Sequence, residues 1–502
     1  MELTTKYIKL IFGLKLKQYR LDKGMSLGEL ARKSDLSVSY LNEIESGKKY
    51  PKQDKIAALA RTLGVSYDKL VSLKLNKKLA PIGELLESNI LDQLPLDHYG
   101  IDIQKLIIQL SNAPAQLNAL VSTLIEMARS SELSDNAFSK TALRTYKELN
   151  ENYFEDIEIS VEKFKAKYKI DKTKSVTYNK LKKILTEQFN YELNDKALAD
   201  NEELSSIRAI VIPGNKNKLL INPKLKPEQK LFILAKELGY LFMKIEERSY
   251  VYARRPLKSF DELLNNYRTS YFATALIIDK NQYIKEIKSF FNKKNWDGHF
   301  LLKLITKFNA TPEMFFQRLT NIASKYLELN GFFFLRFNKE IGTDEISLSK
   351  EMRLNIRQNP GGYQADEHYC RRWISIGVLK QLEERVKKSK GFDDKIAGIQ
   401  ISHFYETDEK FLTISVARPS TLIKNTLISI TVGFLLDEKT GAVIKFSNDP
   451  KIKTVKVHNT CERCGITDCK VRVAPPIVLT RKQESLKVDN ALQKLISELG
   501  KN

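Results

Sequence analysis

A chain of 502 residues is longer than one hydrophobic core serves, and at roughly 150 residues per domain it predicts about three domains. With 42% hydrophobic and 29% charged residues and only 14 prolines, the composition is that of a globular protein and excludes a disordered tail or a fibre. Lysine and arginine (83) outnumber the acids (61), and the net charge of +22 draws nucleic acid, an anionic membrane surface or a phosphorylated ligand.

The stretch Met1–Lys9 lacks the apolar core of a signal peptide, and the longest uncharged apolar run, Leu427–Leu436, falls short of the roughly 20 residues that cross a bilayer. The expectation is a cytoplasmic protein with no membrane partner. Four cysteines in so long a chain are no disulfide framework, and Cys461, Cys464 and Cys469 crowd together, which in a reducing compartment points to metal.

Lys15–Ser72 reads as short helices broken by turn residues. Ser26 caps a helix carrying Leu27, Leu30 and Ala31, Lys33–Leu36 makes a turn, and Ser37 caps a second helix in which Val38, Leu41 and Ile44 share spacings of three. Two short helices and a tight turn form a helix-turn-helix. Residues 1–75 hold 12 lysines and 3 arginines against 8 acids, a net +7, which favours DNA over a protein-contact module.

The residues Leu30-Ala31, Ser37–Leu41, Ile44–Gly47 and Pro51 resemble the Xre/Cro-repressor family. That resemblance implies a five-helix domain over 1–75 whose second motif helix enters the major groove of an operator. Val38, Ser39, Asn42 and Glu43 would then lie near base edges, with Ser37 also on the DNA-binding face and Ser46, Lys48 and Lys49 at phosphates. Leu27 and Glu43 stand where the family often has glutamine, so base preference is not predicted.

Residues 76–150 read as amphipathic linker helices. Ile103, Leu106, Ile107 and Leu110 form a stripe for an intramolecular core or a homodimer, and a dimer suits a helix-turn-helix that reads two half-sites. Between 151 and 345 the pattern is mixed: strands at Ile207–Ile212 and Lys218–Ile221, a turn at Pro213-Gly214-Asn215, and a helix opening at Pro227. Ala310–Glu313 reads as the N-cap, first-turn proline and first-turn acid of a further helix.

The strand pair and the Pro227 helix resemble the ImmA/IrrE family of zinc metallopeptidases, whose helix carries H-E-x-x-H. Here Lys236 and Tyr240 occupy the histidine positions, Glu237 keeps the central acid, and Asn266–Arg268 offers no carboxylate as third ligand. An ammonium is repelled by a dication and a neutral phenol is a poor substitute for imidazole, so the expectation is a zincin-like scaffold that is not an enzyme. His98, His299, His368, His403 and His458 contain no His-x-x-x-His pair.

Residues 346–502 alternate helices and strands, with strands expected at Phe411–Val416, Leu427–Phe434 and Ala442–Phe446 and a terminal helix near Leu486–Leu499. Cys461, Cys464 and Cys469 form a C-x2-C-x4-C cluster, and Cys370 in His368–Trp373 is the remaining cysteine. All four at one site could hold zinc or a 4Fe-4S cluster, with Arg463, Lys470 and Arg472 lowering the thiol pKa values; Cys370 alone reads equally as a buried small hydrophobe.

The whole order is similar to the short-chain fatty acyl-CoA regulators, on Cys370-Arg371-Arg372-Trp373 and the cysteine cluster followed by Arg472–Pro476. The resemblance implies a multidomain fold, mainly α with α+β: an Xre-type helix-turn-helix, a helical linker, a pseudo-peptidase domain and a mixed α/β C-terminal domain. It also implies a transcription regulator that binds acyl-CoA or CoA in its middle and C-terminal region, with Arg371, Arg372 and Arg418 as effector ligands. A residual peptidase that cleaves a repressor, and a redox-sensing DNA-binding protein without CoA, are the alternatives.

Overall fold

The computed structural model describes residues 5–73, 75, 96, 100–102, 105–107, 109, 135–171, 174–198, 202–252, 259–356, 367–388 and 395–499. The contacts divide the chain into two compact units, Met1–Tyr146 with Pro256–Leu263, and Lys147–Arg255 with Leu264–Asn502.

The first unit opens with five helices: α1 (Thr5–Asp22), α2 (Leu27–Ser34), α3 (Val38–Glu45), α4 (Gln53–Leu63) and α5 (Tyr67–Val71). Both expected caps form. Ser26 Oγ accepts from Glu29 N at 3.2 Å while the Glu29 carboxylate accepts from Ser26 N at 2.7 Å, and Ser37 Oγ accepts from Tyr40 N at 3.1 Å. Leu30, Leu41, Ile44, Leu59 and Leu63 bury against Phe12 and Leu16. The close crossing of α1 and α3 depends on Gly13, because a Cβ there would stand 2.2 Å from the Ile44 carbonyl oxygen. Arg20 fastens the same crossing, with Nε at 2.7 Å and Nη2 at 2.9 Å from the two carboxylate oxygens of Glu45.

Most of the expected linker, including Ile103 and Leu110 of its stripe, lies outside the described residues; Leu106 and Ile107 are helical and Ile107 is buried. A helix α6 (Asp135–Leu149) follows.

The second unit continues with α7 (Glu155–Lys167), α8 (Tyr178–Phe189), β1 (Tyr191–Asn194), β2 (Ala209–Ile212), β3 (Asn217–Ile221), α9 (Pro227–Phe242), β4 (Val251–Tyr252) and α10 (Phe260–Ile277). The four strands form one sheet in the order β1-β3-β2-β4, parallel only between β1 and β3. Then come α11 (Lys280–Phe291), α12 (Gly298–Lys307) and α13 (Pro312–Leu327), the last capped by Thr311 Oγ1 on Met314 N at 3.2 Å. Arg318 of α13 reaches Glu158 of α7 with two nitrogens, at 2.5 and 3.1 Å, in the middle of the helical layer.

The larger sheet comprises β5 (Phe332–Glu340), β6 (Ile346–Leu354), β7 (Ile396–Phe404), β8 (Lys410–Pro419), β9 (Thr426–Leu435) and β10 (Thr454–Val457), in the order β10-β7-β8-β9-β5-β6. Helix α14 (Ile374–Lys388) covers one face, where Trp373, Leu379 and Leu382 pack with Phe337, Phe404 and Phe411. The β5–β6 hairpin straddles residues 345 and 346, so the sheet begins ahead of the boundary expected there.

One strand expectation is overturned. Ala442–Phe446 is not extended: α15 (Glu438–Val443) and a 3-10 turn over Lys445–Asn448 occupy it, because Asp437 caps the helix through Thr440 N at 2.7 Å. The terminal helix α16 (Ile477–Leu499) starts earlier than expected, at Ile477.

Candidate functional site

Three groups of side chains carry the chemistry. In the N-terminal domain, Ser37, Val38, Ser39 and Asn42 are exposed, Glu43 is half-exposed, and Lys48 and Lys49 follow on the loop after α3. Val38, grouped with Leu41 and Ile44 by its spacing, leaves their buried side and is 49% exposed at the first turn of α3. That turn therefore projects apolar and polar groups outward, as base-edge contact requires. Lys49 Nζ lies 2.7 Å from Glu43 Oε2, so the acid expected near the bases and the expected phosphate ligand pair with each other in the free protein. Ser46 Oγ donates to the Glu43 carbonyl at 3.1 Å and stays half-buried.

The second group fills the peptidase position. Glu237, fully buried on α9, accepts from Tyr191 OH at 2.7 Å, Tyr252 OH at 2.6 Å, and Arg248 Nη1 and Nη2 at 2.8 and 2.5 Å. Four donors leave it no free direction from which to take a proton off water. Lys236, at the first histidine position, donates to Asn266 Oδ1, at the third-ligand position, and the Arg248 guanidinium lies 3.9 Å from the centre of the Tyr240 ring. Protein cations thus stand where a metallopeptidase keeps its ion. Burial, then the charges of Lys350, Arg208 and Arg248, push the Lys236 pKa down to about 7.

Next to it lies a basic cluster. Glu313 of α13 accepts from Lys350 Nζ and sits 3.6 Å from Arg336 Nε. Burial opposes its ionisation, but Lys350, Arg336 and Arg208 outweigh it and hold the carboxyl far below the usual range. Arg208 and Lys350 remain exposed at the surface, and nearby protein lowers the pKa of each. Arg418 is buried, feels Glu313, Arg336 and Arg208, and its Nε, like that of Arg336, has no hydrogen-bond partner. The four cations outnumber Glu313 and Glu228, the carboxylates that act on Arg418, so the group retains positive charge for an anion. Glu313 is thus more than the first-turn acid read from Ala310–Glu313.

The cysteines form the third group. An antiparallel bridge between Tyr369 and Thr460, with Cys370 N on Asn459 O and Cys461 N on His368 O, both at 2.9 Å, lays His368–Cys370 beside Asn459–Cys461. Arg472 ties the loop by donating to the carbonyls of Cys461, Cys464 and Ile466 at 2.9, 3.1 and 2.7 Å. Burial pushes the Cys370 thiol up to about 11, with Cys464 and Cys461 near enough to add to the shift, and burial also raises Cys464. The lowered thiol pKa values expected from Arg463 and Arg472 are therefore overturned at Cys370 and Cys464. Arg472 does act to lower the Cys464 thiol as expected, but burial outweighs it, while Arg463 is held by Glu367 at 2.6 Å. Among the described residues, no three His, Cys, Asp or Glu side chains converge on a point that could hold a metal ion.

Residues 16–70 match the Helix-turn-helix family, and residues 183–320 match the IrrE N-terminal-like domain. The control protein C.BamHI of Bacillus amyloliquefaciens is 40% identical over 62 residues, which are 12% of this chain and 76% of that protein. The chain belongs to the helix-turn-helix family. A solved Mycobacterium tuberculosis transcriptional regulator is 14% identical, with 67% of this chain and 94% of that chain aligned at a TM-score of 0.45, a correspondence too loose to carry a fold or an activity across.

In this helix-turn-helix protein, the expected effector arginines do not form one group. Arg418 belongs with Glu313, whereas Arg371 lies beside Cys370 and Cys461; Arg372 is half-buried and its carbonyl accepts from Gln400 at 3.3 Å. Sequence reading missed Arg208, Arg248, Arg336 and Lys350. Their only signal was basic residues inside apolar strand patterns, at 336 and 350. His98 lies outside the described residues, and His299 is exposed at the start of α12. Among the described residues no helix is long and apolar enough to cross a membrane.

Proposed function

We propose that the chain is a cytoplasmic, homodimeric transcription regulator whose affinity for a double-stranded operator is set by an acyl-CoA or free CoA. The exposed first turn of α3 on a domain of net charge +7 supports the DNA part. The basic cluster around Glu313 supports the effector: Coenzyme A carries several phosphate charges, and Arg208, Arg336, Lys350 and Arg418 are concentrated there, with Arg418 Nε buried without a hydrogen-bond partner. A ligand regulates only through unequal affinity for two conformations, so the decisive experiment is operator titration with and without acyl-CoA. The reading requires a change in operator affinity; CoA binding with none would sink it.

A zinc ion or a 4Fe-4S cluster held by Cys370, Cys461, Cys464 and Cys469 completes the proposal. The reading rests on donor chemistry alone: three of the four cysteines are buried and the 369–460 bridge lays Cys370 beside Cys461, but no three of these side chains converge on one point in this structure. Such a centre would brace the loop or make it redox-sensitive. Metal analysis of a Cys464→Ser variant tests it, and metal lost there supports the centre.

The match of residues 183–320 to the IrrE N-terminal-like domain keeps a metallopeptidase as the second reading. Metal that survives Cys464→Ser and is lost in Glu237→Gln would favour it. Iron that bleaches in air, without CoA binding, would favour a redox sensor.

A further inference from the structure

Lys236 of α9 is 6% exposed, and among the described residues its Nζ has one hydrogen-bond acceptor, Asn266 Oδ1 of α10. A buried ammonium has three N–H groups to satisfy, and each one left unmade adds to the cost of keeping the charge out of water. The acid that acts on it, Glu237, is already filled by Tyr191, Tyr252 and both ends of Arg248.

The other charged groups that act on Lys236 are cations: Arg208 ahead of β2, Arg248 ahead of β4 and Lys350 of β6. Arg248 shares two aromatic neighbours with it. The Tyr240 ring centre lies 3.9 Å from the Arg248 guanidinium and 6.0 Å from Lys236 Nζ; the Tyr252 ring centre lies 5.2 Å from Nζ, and its hydroxyl accepts from Arg248 Nη2 at 3.1 Å. Burial among these cations keeps the amine neutral and its lone pair unengaged. At about pH 7.5, about three-quarters of Lys236 carries no proton, against about one in a thousand of an ordinary lysine. The same surroundings favour a negative charge at this position over a positive one.

We infer that Lys236 is a carbon dioxide site, its Nζ adding to the gas to form a carbamate that the charges of Arg208, Arg248 and Lys350 stabilise. The nitrogen lone pair forms the new N–C bond, the electron pair of one C=O bond moves onto oxygen, and the amine loses a proton to water. No oxidant, reductant or further reactant is needed. Carbon dioxide is small and uncharged, so it enters a site that the fold closes to charged or larger electrophiles without a desolvation penalty. The product turns the charge at 236 from the sign its neighbours oppose into the sign they favour. Dissolved carbon dioxide thereby sets the charge at the metallopeptidase position, whether or not the chain binds CoA or metal.

The test incubates the full chain at about pH 7.5 with isotopically labelled bicarbonate, which supplies the gas. Carbon NMR reads the carbamate directly; triethyloxonium ion then traps it, and peptide mass spectrometry maps the ethoxycarbonyl group. Wild type is expected to carry the group at Lys236 at least about tenfold above its surface lysines, with the chain's α-amine, whose ordinary pKa is about 8, as the positive control. The carbamate resonance of Lys236 should be missing from Lys236→Arg, because a guanidinium keeps its proton. Lys350→Ala should lower occupancy at least about twofold and leave the α-amine signal unchanged, since it removes a cation that favours both the neutral amine and the carbamate. Mapping in wild type needs no variant to fold, and wild type unfolded in urea should lose its preference for Lys236. A labelled α-amine with neither a trapped group at Lys236 nor a resonance missing from Lys236→Arg overturns the inference. So does labelling of Lys236 at the level of surface lysines, or a preference that survives unfolding.

Discussion

Arg248 closes on Glu237 with both ends of its guanidinium, Nη1 to Oε1 at 2.8 Å and Nη2 to Oε2 at 2.5 Å, and both side chains are shut away from solvent. The acid that a metallopeptidase needs as a proton acceptor is here the anchor of a buried ion pair. Restoring histidines at 236 and 240 would not release it.

Glu237→Gln should therefore cost stability. Removing one partner of a buried pair strands the other charge, at about 3 kcal/mol or more. Urea unfolding of the variant measures this, and an unchanged midpoint would show that Arg248 has another partner in solution.

Lys236 makes stability depend on alkaline pH. Its pKa in the folded chain is about 7 against an ordinary 10.5, so between those values the unfolded chain binds more protons and stability rises with pH. Below about pH 7 both states carry the proton and the penalty is constant. Lys236→Met should stabilise the protein by a few kcal/mol at neutral pH, and the gain should shrink towards pH 10. A gain that does not vary with pH would mean that the amine keeps its ordinary pKa.

At the cluster, substitutions of opposite charge should act in opposite directions. Lys350→Ala should weaken CoA binding by about tenfold, the order of one charge-assisted contact, while Glu313→Gln, which removes the carboxylate competing for the same cations, should strengthen it. Calorimetric titration with free CoA reads both. Weakening in both variants would place the ligand elsewhere.

On the DNA face, Lys48→Ala and Lys49→Ala should lower affinity for all sequences alike and reduce the slope of log K against log salt by about 1 each. Glu43→Gln releases Lys49 from its 2.7 Å pair and should raise affinity, with altered base preference at the position it faces. Binding measured at several salt concentrations on operator and random DNA decides both.

Much of the fold was legible because it is local. Ser26 and Ser37 announce their helices, and Thr311-Pro312 opens α13, since a cap needs only the next three residues. The strands at 411–416 and 427–434 are correct within a few residues. Ala442–Phe446 misled because its apolar content says nothing of Asp437, whose side chain wins those residues for a helix.

The sequence by itself determined the helix-turn-helix, the absence of histidine at 236 and 240, and the spacing of Cys461, Cys464 and Cys469, because each depends on neighbours a few positions away. Only the tertiary structure decided what the charged residues do. Arg336 and Lys350 meet Glu313 because β5 and β6 pair in antiparallel register beside α13, and Arg418 reaches the same group from β8. Arg371 and Arg418, alike on paper, part company there. The physical reason is that a charge is governed by its desolvation and its nearest opposite charge, and both are set by strands and helices far apart along the chain.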